Sequence, residues 1–126
     1  MLETRNRNLY RIEYVELDNK KPFEEFLNAF TLKEQEKLIT QMIRFLERKN
    51  ANIPVKGNIS KYLEDGIFEV RIFFSDKSAR TLYYYEKGGK IIFTHGFIKK
   101  TQKTPRKEIE YAKQWRKKYN KRMGYD

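Results

Sequence analysis

An α+β fold with a small, mainly antiparallel four-stranded sheet is expected for this 126-residue chain, and three observations lead to it. Near the N-terminus apolar and polar residues alternate as in a half-buried strand. Two amphipathic helical patterns follow almost without a gap. Three further strand patterns then run in succession, joined by short turns. A basic helical stretch closes the sequence, so the element order is β-α-α-β-β-β-α. Such an order places a helical hairpin on one face of the sheet and leaves the other face partly open. The length reads as one domain, residues 1–126, able to bury on the order of two-thirds of its unfolded surface.

Each element has a local cause. In "NLYRIEYVEL", 8–17, Tyr10, Ile12 and Tyr14 alternate with Arg11 and Glu13, the period of a strand with one buried face. Lys20-Lys21-Pro22 turns the chain, and proline suits a first helical position. Phe23, Phe26, Leu27 and Phe30 then fall on one helical stripe. Thr31 with Glu34 three residues later reads as a capping box. The helix it opens carries Leu38, Ile39, Met42, Ile43 and Leu46 on one side and ends near Asn50, ahead of Pro54 and Gly57. Residues 51–66 read as loop, closing on an Asp65-Gly66 turn.

Strands are expected at 67–74, 79–86 and 90–97. Ser75 to Ser78 joins the first two, and Gly88-Gly89 is a two-residue hairpin signal between the second pair. The last helix runs from Pro105 to about Arg122, with Thr104 as its cap and Ile109, Ala112, Trp115 and Tyr119 as its packing stripe.

Composition narrows the function classes. There is no cysteine, hence no disulfide framework, thiolate nucleophile or cysteine zinc site. "MLETRNRNLYRIEYVE" has no apolar signal-peptide core, and no apolar run approaches the roughly 18 residues of a membrane span. A cytoplasmic protein without membrane contact is expected. Net charge is +11, and residues 99–122 hold eight lysines and three arginines against Glu108 and Glu110, or +9. Charge this concentrated points to nucleic acid or an acidic protein partner.

Strand alternation tests whether polar side chains converge. Phe68, Val70, Ile72 and Phe74 share the core face of their strand; Ile67, Glu69, Arg71 and Phe73 point the other way. With Asp76-Lys77 and Gly88-Gly89 as turn centres, Phe73 opposes Arg80, Arg71 opposes Leu82, Leu82 opposes His95 and Arg80 opposes Phe97. Arg71, Arg80 and His95 then share one face within roughly 10 Å, and a one-residue slip would scatter them. Arg71 could equally pair with Glu69 or Glu86. Tyr84 lies on the same face, where its ring could stack a base or simply pack. Lys99, Lys100 and Lys103, in the loop "IKKTQKTP", supply phosphate contacts.

Leu63 to Ala112 resembles the RelE/HigB toxin superfamily in its phage-derived HigB-like branch. The resemblance is carried by Leu63, Gly66, Ile67, Glu69, Val70 and Arg71; by Arg80; and by the run Thr94, His95, Gly96, Phe97, Lys99, Lys100, Thr101, Lys103, Thr104, Pro105. It implies a RelE-like fold and an mRNA interferase, the toxin of a type II toxin–antitoxin pair. Its implied partners are mRNA, the ribosome and a helix-turn-helix antitoxin of the HigA type, with operator DNA met only through the toxin–antitoxin complex.

RNA carries its own nucleophile, the 2′-hydroxyl, so neither metal nor cofactor is expected. Arg71 and Arg80 suit charge stabilisation and His95 suits general acid or base work. His95 could instead shape the turn-out at Gly96. Two other readings stay open: a non-catalytic RNA- or ribosome-binding module, and a phage-derived accessory protein that binds an acidic partner.

Overall fold

The computed structural model describes residues 9–125. Residues 1–8, with Asn8 of the expected first strand and half of the stretch read for a signal peptide, lie outside the described residues, as does Asp126. The elements are β1 (Arg11–Tyr14), α1 (Pro22–Leu27), α2 (Leu32–Asn50), β2 (Ser60–Glu64), β3 (Ile67–Phe73), β4 (Ser78–Glu86), β5 (Lys90–Ile98) and α3 (Arg106–Met123). No helix among them is long and apolar enough to cross a membrane.

The strands form one five-stranded sheet in the order β1-β5-β4-β3-β2. β1 runs parallel to β5; the other neighbours are antiparallel. The expectation of four strands is thereby corrected. Ser60–Glu64, inside the stretch read as loop, is an edge strand paired with β3 alone. Its sequence, SKYLE, lacks a run of β-branched residues because an edge strand needs backbone partners on one side only.

Helix starts and packing follow local chemistry. Pro22 opens α1. Thr31 Oγ1 accepts from the Glu34 backbone N–H while the Glu34 carboxylate accepts from the Thr31 N–H, so the expected capping box forms. Leu38, Met42 and Phe45 are the residues of α2 that become buried, whereas Ile43 is 49 % exposed. The stripe is thus rotated toward Phe45, whose ring meets Tyr83 and Phe93. Phe23, Phe26 and Phe30 join it over Val70, Ile72, Ala79, Ile91 and Phe93 on one face of the sheet.

The other face is covered, not open. Ala112, Trp115 and Tyr119 of α3 pack on Val15, Ile67, Leu82, Tyr84 and Ile92. The same helix is tied down by charge: Lys113 reaches Glu64 at 2.7 Å, Arg116 reaches Asp65 at 3.1 Å and Arg122 reaches Asp18 at 3.0 Å. Part of its basic character therefore fastens the helix to the sheet.

Two turns depart from expectation while preserving the faces. Arg71 pairs with Arg80 and Phe73 with Ser78, two residues away from the register expected of an Asp76-Lys77 turn. A shift of two leaves every side chain on its face. Beyond β4, Glu86 pairs with Lys90 around Lys87-Gly88-Gly89, with both glycines at positive φ. This three-residue turn would misplace Leu82 and His95 by one, but a bulge between Leu82 and Tyr83 restores Leu82↔His95 and Arg80↔Phe97.

Gly96 is required by a close approach. A Cβ there would lie 2.6 Å from the Phe26 ring and 2.8 Å from the Arg80 carbonyl oxygen. The carbonyl belongs to the ladder and cannot swing aside. Gly96→Ala is expected to cost about 1–3 kcal/mol through overpacking, measured as a lower urea midpoint with an unchanged slope.

Candidate functional site: a basic cleft beside the N-terminus of α3

The site begins with an acid in a strand. Glu69 sits in β3 between Phe68 and Val70, on the α3 side of the sheet, and is 1 % exposed. Arg80, directly across from Arg71 on β4, is 4 % exposed and donates from Nη1 to Glu69 Oε2 at 2.7 Å. Arg71 donates from Nε to the same oxygen at 3.3 Å. Thr104, in the loop before α3, donates its hydroxyl to Glu69 Oε1 at 2.5 Å. Burial pulls the Arg80 guanidinium below its ordinary pKa, Glu69 opposes that, and neighbouring Arg71 adds to it.

These residues form the floor of a cleft of about 610 Å³. Its rim brings Lys61 from β2, Lys103 from the loop and Arg106 from α3. Five basic side chains (Lys61, Arg71, Arg80, Lys103, Arg106) face two carboxylates, Glu64 and Glu69, a local balance of +3. Arg106 is occupied by Glu64 and Glu110. Lys61 and Lys103 have no carboxylate partner among the described residues. The outer nitrogens of Arg71 likewise have none, since its pairing to Glu69 uses Nε alone. A cationic fork flanked by two amines, at the rim of a concave surface, is suited to a phosphate group.

The expected site residues separate into those the cleft gathers and those it does not. Arg71, Arg80 and Lys103 line it. Lys99 and Lys100 lie upstream in the loop, outside the lining; the Lys99 N–H donates to the Ser78 carbonyl at the end of the β4–β5 ladder. Tyr84 must be corrected. It shares the arginine face as alternation requires, yet α3 lies over it: the ring is 2 % exposed, its hydroxyl donates to Asn120 Oδ1 at 2.7 Å, and burial raises its pKa. No base can stack there.

His95 lies outside the cleft as well. It faces the arginine side of β5, but the first turns of α3 cover it to 4 % exposure and it does not line the cleft. Both ring nitrogens are engaged, Nδ1 with Thr94 Oγ1 at 3.1 Å and Nε2 with Glu108 Oε1 at 3.0 Å, and Tyr111 stands edge-on at 4.7 Å. The imidazole fastens α3 to β5. Loss of a general acid or base costs about 10²–10⁴-fold in rate, so His95→Gln is the discriminating change. It is expected to lower the thermal midpoint and leave RNA cleavage within about threefold of wild type, because both ring nitrogens are engaged by Thr94 and Glu108.

Several lining residues were missed, among them Lys61, Tyr62, Glu69 and Arg106. Lys61 and Tyr62 went unseen because β2 was read as loop. Tyr62 borders the cleft and is 54 % exposed, but its ring packs on Phe68, on the face of the sheet opposite Arg71. The structural use of Glu69 was visible only as one pairing option for Arg71. Its signal is a lone acid alternating with apolar residues on the arginine side of a strand otherwise bound for the core.

Comparison with known families decides the affiliation. Residues 25–117, well over half of the chain and all of the cleft, match the model of the family described as Phage derived protein Gp49-like (DUF891). The chain belongs to that family. The Gp49-like family is a RelE/HigB-like toxin family member and is associated with the toxins of toxin–antitoxin pairs. A toxin of such a pair has an antitoxin as its partner. No curated protein matches the chain.

Proposed function

We propose that this Gp49-like protein is an mRNA interferase of the HigB-like branch, cleaving translated mRNA on the ribosome. The observation that carries the reading is the cleft itself: a guanidinium bonded only through Nε, sharing a concave surface with Lys61 and Lys103, neither of whose amines meets a carboxylate among the described residues. Such a site is built to hold a phosphodiester and the extra charge of its transition state.

The chemistry needs little else. The ribose 2′-hydroxyl attacks the adjacent phosphorus, the bond to the 5′-oxygen breaks, and the products are a 2′,3′-cyclic phosphate and a 5′-hydroxyl. One proton leaves the 2′-oxygen and one arrives on the 5′-oxygen. Arg71 grips the non-bridging oxygens, and Lys61 and Lys103 are the cleft amines available for those proton transfers. Glu69 is not the base, because its two oxygens already accept from Arg71, Arg80 and Thr104. Lys99, Lys100 and the outward lysines of α3 hold the surrounding RNA backbone. The partner that silences the site is a helix-turn-helix antitoxin of the HigA type.

The test is purified protein with a defined mRNA, in EDTA without ribosomes and in magnesium-containing buffer with them. Fragments ending in 2′,3′-cyclic phosphate support the reading. RNA that is bound with strong salt dependence but stays intact would favour a non-catalytic RNA- or ribosome-binding module.

A further inference from the structure

We propose that Glu69 is a positioning residue of the cleft: a buried carboxylate that aims the two arginines and pins the Lys103 loop through Thr104. Its kinetic consequence rests on the nuclease reading above; its geometric consequence does not.

A carboxylate 1 % exposed in mid-strand is a costly choice unless every lone pair finds a donor. Here the donors come from three separate segments: β3 through Arg71, β4 through Arg80, and the loop before α3 through Thr104. Those segments carry three of the cleft's cations, Arg71, Arg80 and Lys103. One side chain therefore sets their mutual placement. By taking Nε of Arg71 it fixes the plane of that guanidinium and leaves the outer nitrogens for a ligand. A long, rotamer-rich side chain held at one nitrogen loses less entropy when the rest of the fork engages a phosphate.

Thr104 supplies an independent sign. Its place just before α3 is that of a helix cap. In the structure Pro105 is the N-cap residue and no side-chain cap bond forms. The Thr104 side chain, 8 % exposed, turns away from the helix to Glu69 and also meets Arg80 Nη1 at 3.5 Å. The hydroxyl serves the acid, so the loop that bears Lys103 is anchored one residue from that lysine.

The experiment compares wild type with Glu69→Gln, Thr104→Val and Thr104→Ser, using water exchange of the Arg71 Nε–H by ¹⁵N NMR, amide exchange over residues 99–104, and single-turnover RNA cleavage. Glu69→Gln keeps the shape and removes the charge. It is expected to speed Arg71 Nε–H exchange about tenfold and to lower the cleavage rate about 10- to 100-fold with substrate affinity nearly unchanged, as for misplacement of a reacting geometry. Thr104→Val is expected to loosen 99–104 and to lower cleavage in the same way, and Thr104→Ser to restore both. Folded variants with wild-type exchange and wild-type cleavage, differing only in thermal midpoint, would overturn the proposal. Should Glu69→Gln fail to fold, the two Thr104 variants decide. Should wild type itself leave RNA intact, the nuclease reading fails, and the exchange measurements alone judge whether Glu69 positions the arginines.

Discussion

Arg71→Ala is expected to abolish RNA cleavage while leaving a folded protein. The side chain is about a quarter exposed, and among the described residues its one hydrogen bond is from Nε to Glu69. Without it, Glu69 keeps Arg80 and Thr104. The stability loss should stay near 1 kcal/mol, the usual net worth of one hydrogen bond. The chemical loss is larger. Removing one preorganised donor that meets developing charge costs about 10²–10³-fold in rate, and Arg71 presents a pair of them. Arg71→Lys keeps the charge without the fork and is expected to fall between alanine and wild type. Thermal midpoints together with single-turnover cleavage rates check both halves of the claim. An Arg71→Ala protein that cleaves at the wild-type rate contradicts it.

Arg80→Ala is expected to fail differently. Alternation alone suggests two equivalent arginines, and both would then be dispensable for folding. The structure separates them. Arg80 is 4 % exposed and is the shortest contact from a guanidinium to buried Glu69. Truncating it leaves a carboxylate in the sheet with a weaker set of donors, a change that costs about 3–5 kcal/mol when one partner of a buried pair is removed. That is a large fraction of the roughly 5–15 kcal/mol by which a domain is stable. Urea denaturation should show a much lower midpoint, and loss of toxicity in this variant would report unfolding as much as chemistry. The double variant Glu69→Met with Arg80→Met removes both charges together and should recover most of the stability, since apolar replacement of a whole buried pair is often neutral. It should not recover cleavage. A single variant as stable as wild type would mean that the pair contributes nothing to the fold.

Much of this arrangement was legible in residue order, for a reason that the register makes plain. Side chains on a strand repeat every two residues, so an error of two in the β3–β4 turn left Arg71 and Arg80 on one face. At the β4–β5 turn the Gly-Gly signal gave the wrong loop length, and the bulge opposite Leu82 undid the error. The capping box of α2 and the packing stripe of α3 are local codes, and both formed as read.

What escaped was non-local. β2 is made by its partner β3 rather than by its own five residues, so Lys61 and Tyr62 were lost with it. The parallel pairing of β1 with β5 joins segments some eighty residues apart and has no sequence signature of its own. The cover provided by α3 changed the meaning of two correctly oriented residues, Tyr84 and His95. Alternation says which way a side chain points; it does not say what lies on top of it.

The central claim is that the Arg71 cleft cuts mRNA. It is tested most directly by brief induced expression of wild type and of Arg71→Ala in growing cells, followed by mapping of all new mRNA 5′ ends. The expected result is a crop of in-frame cleavage sites within translated regions for wild type and none for Arg71→Ala at equal protein level. Identical end maps for the two proteins, or no new ends with wild type folded and abundant, would contradict it.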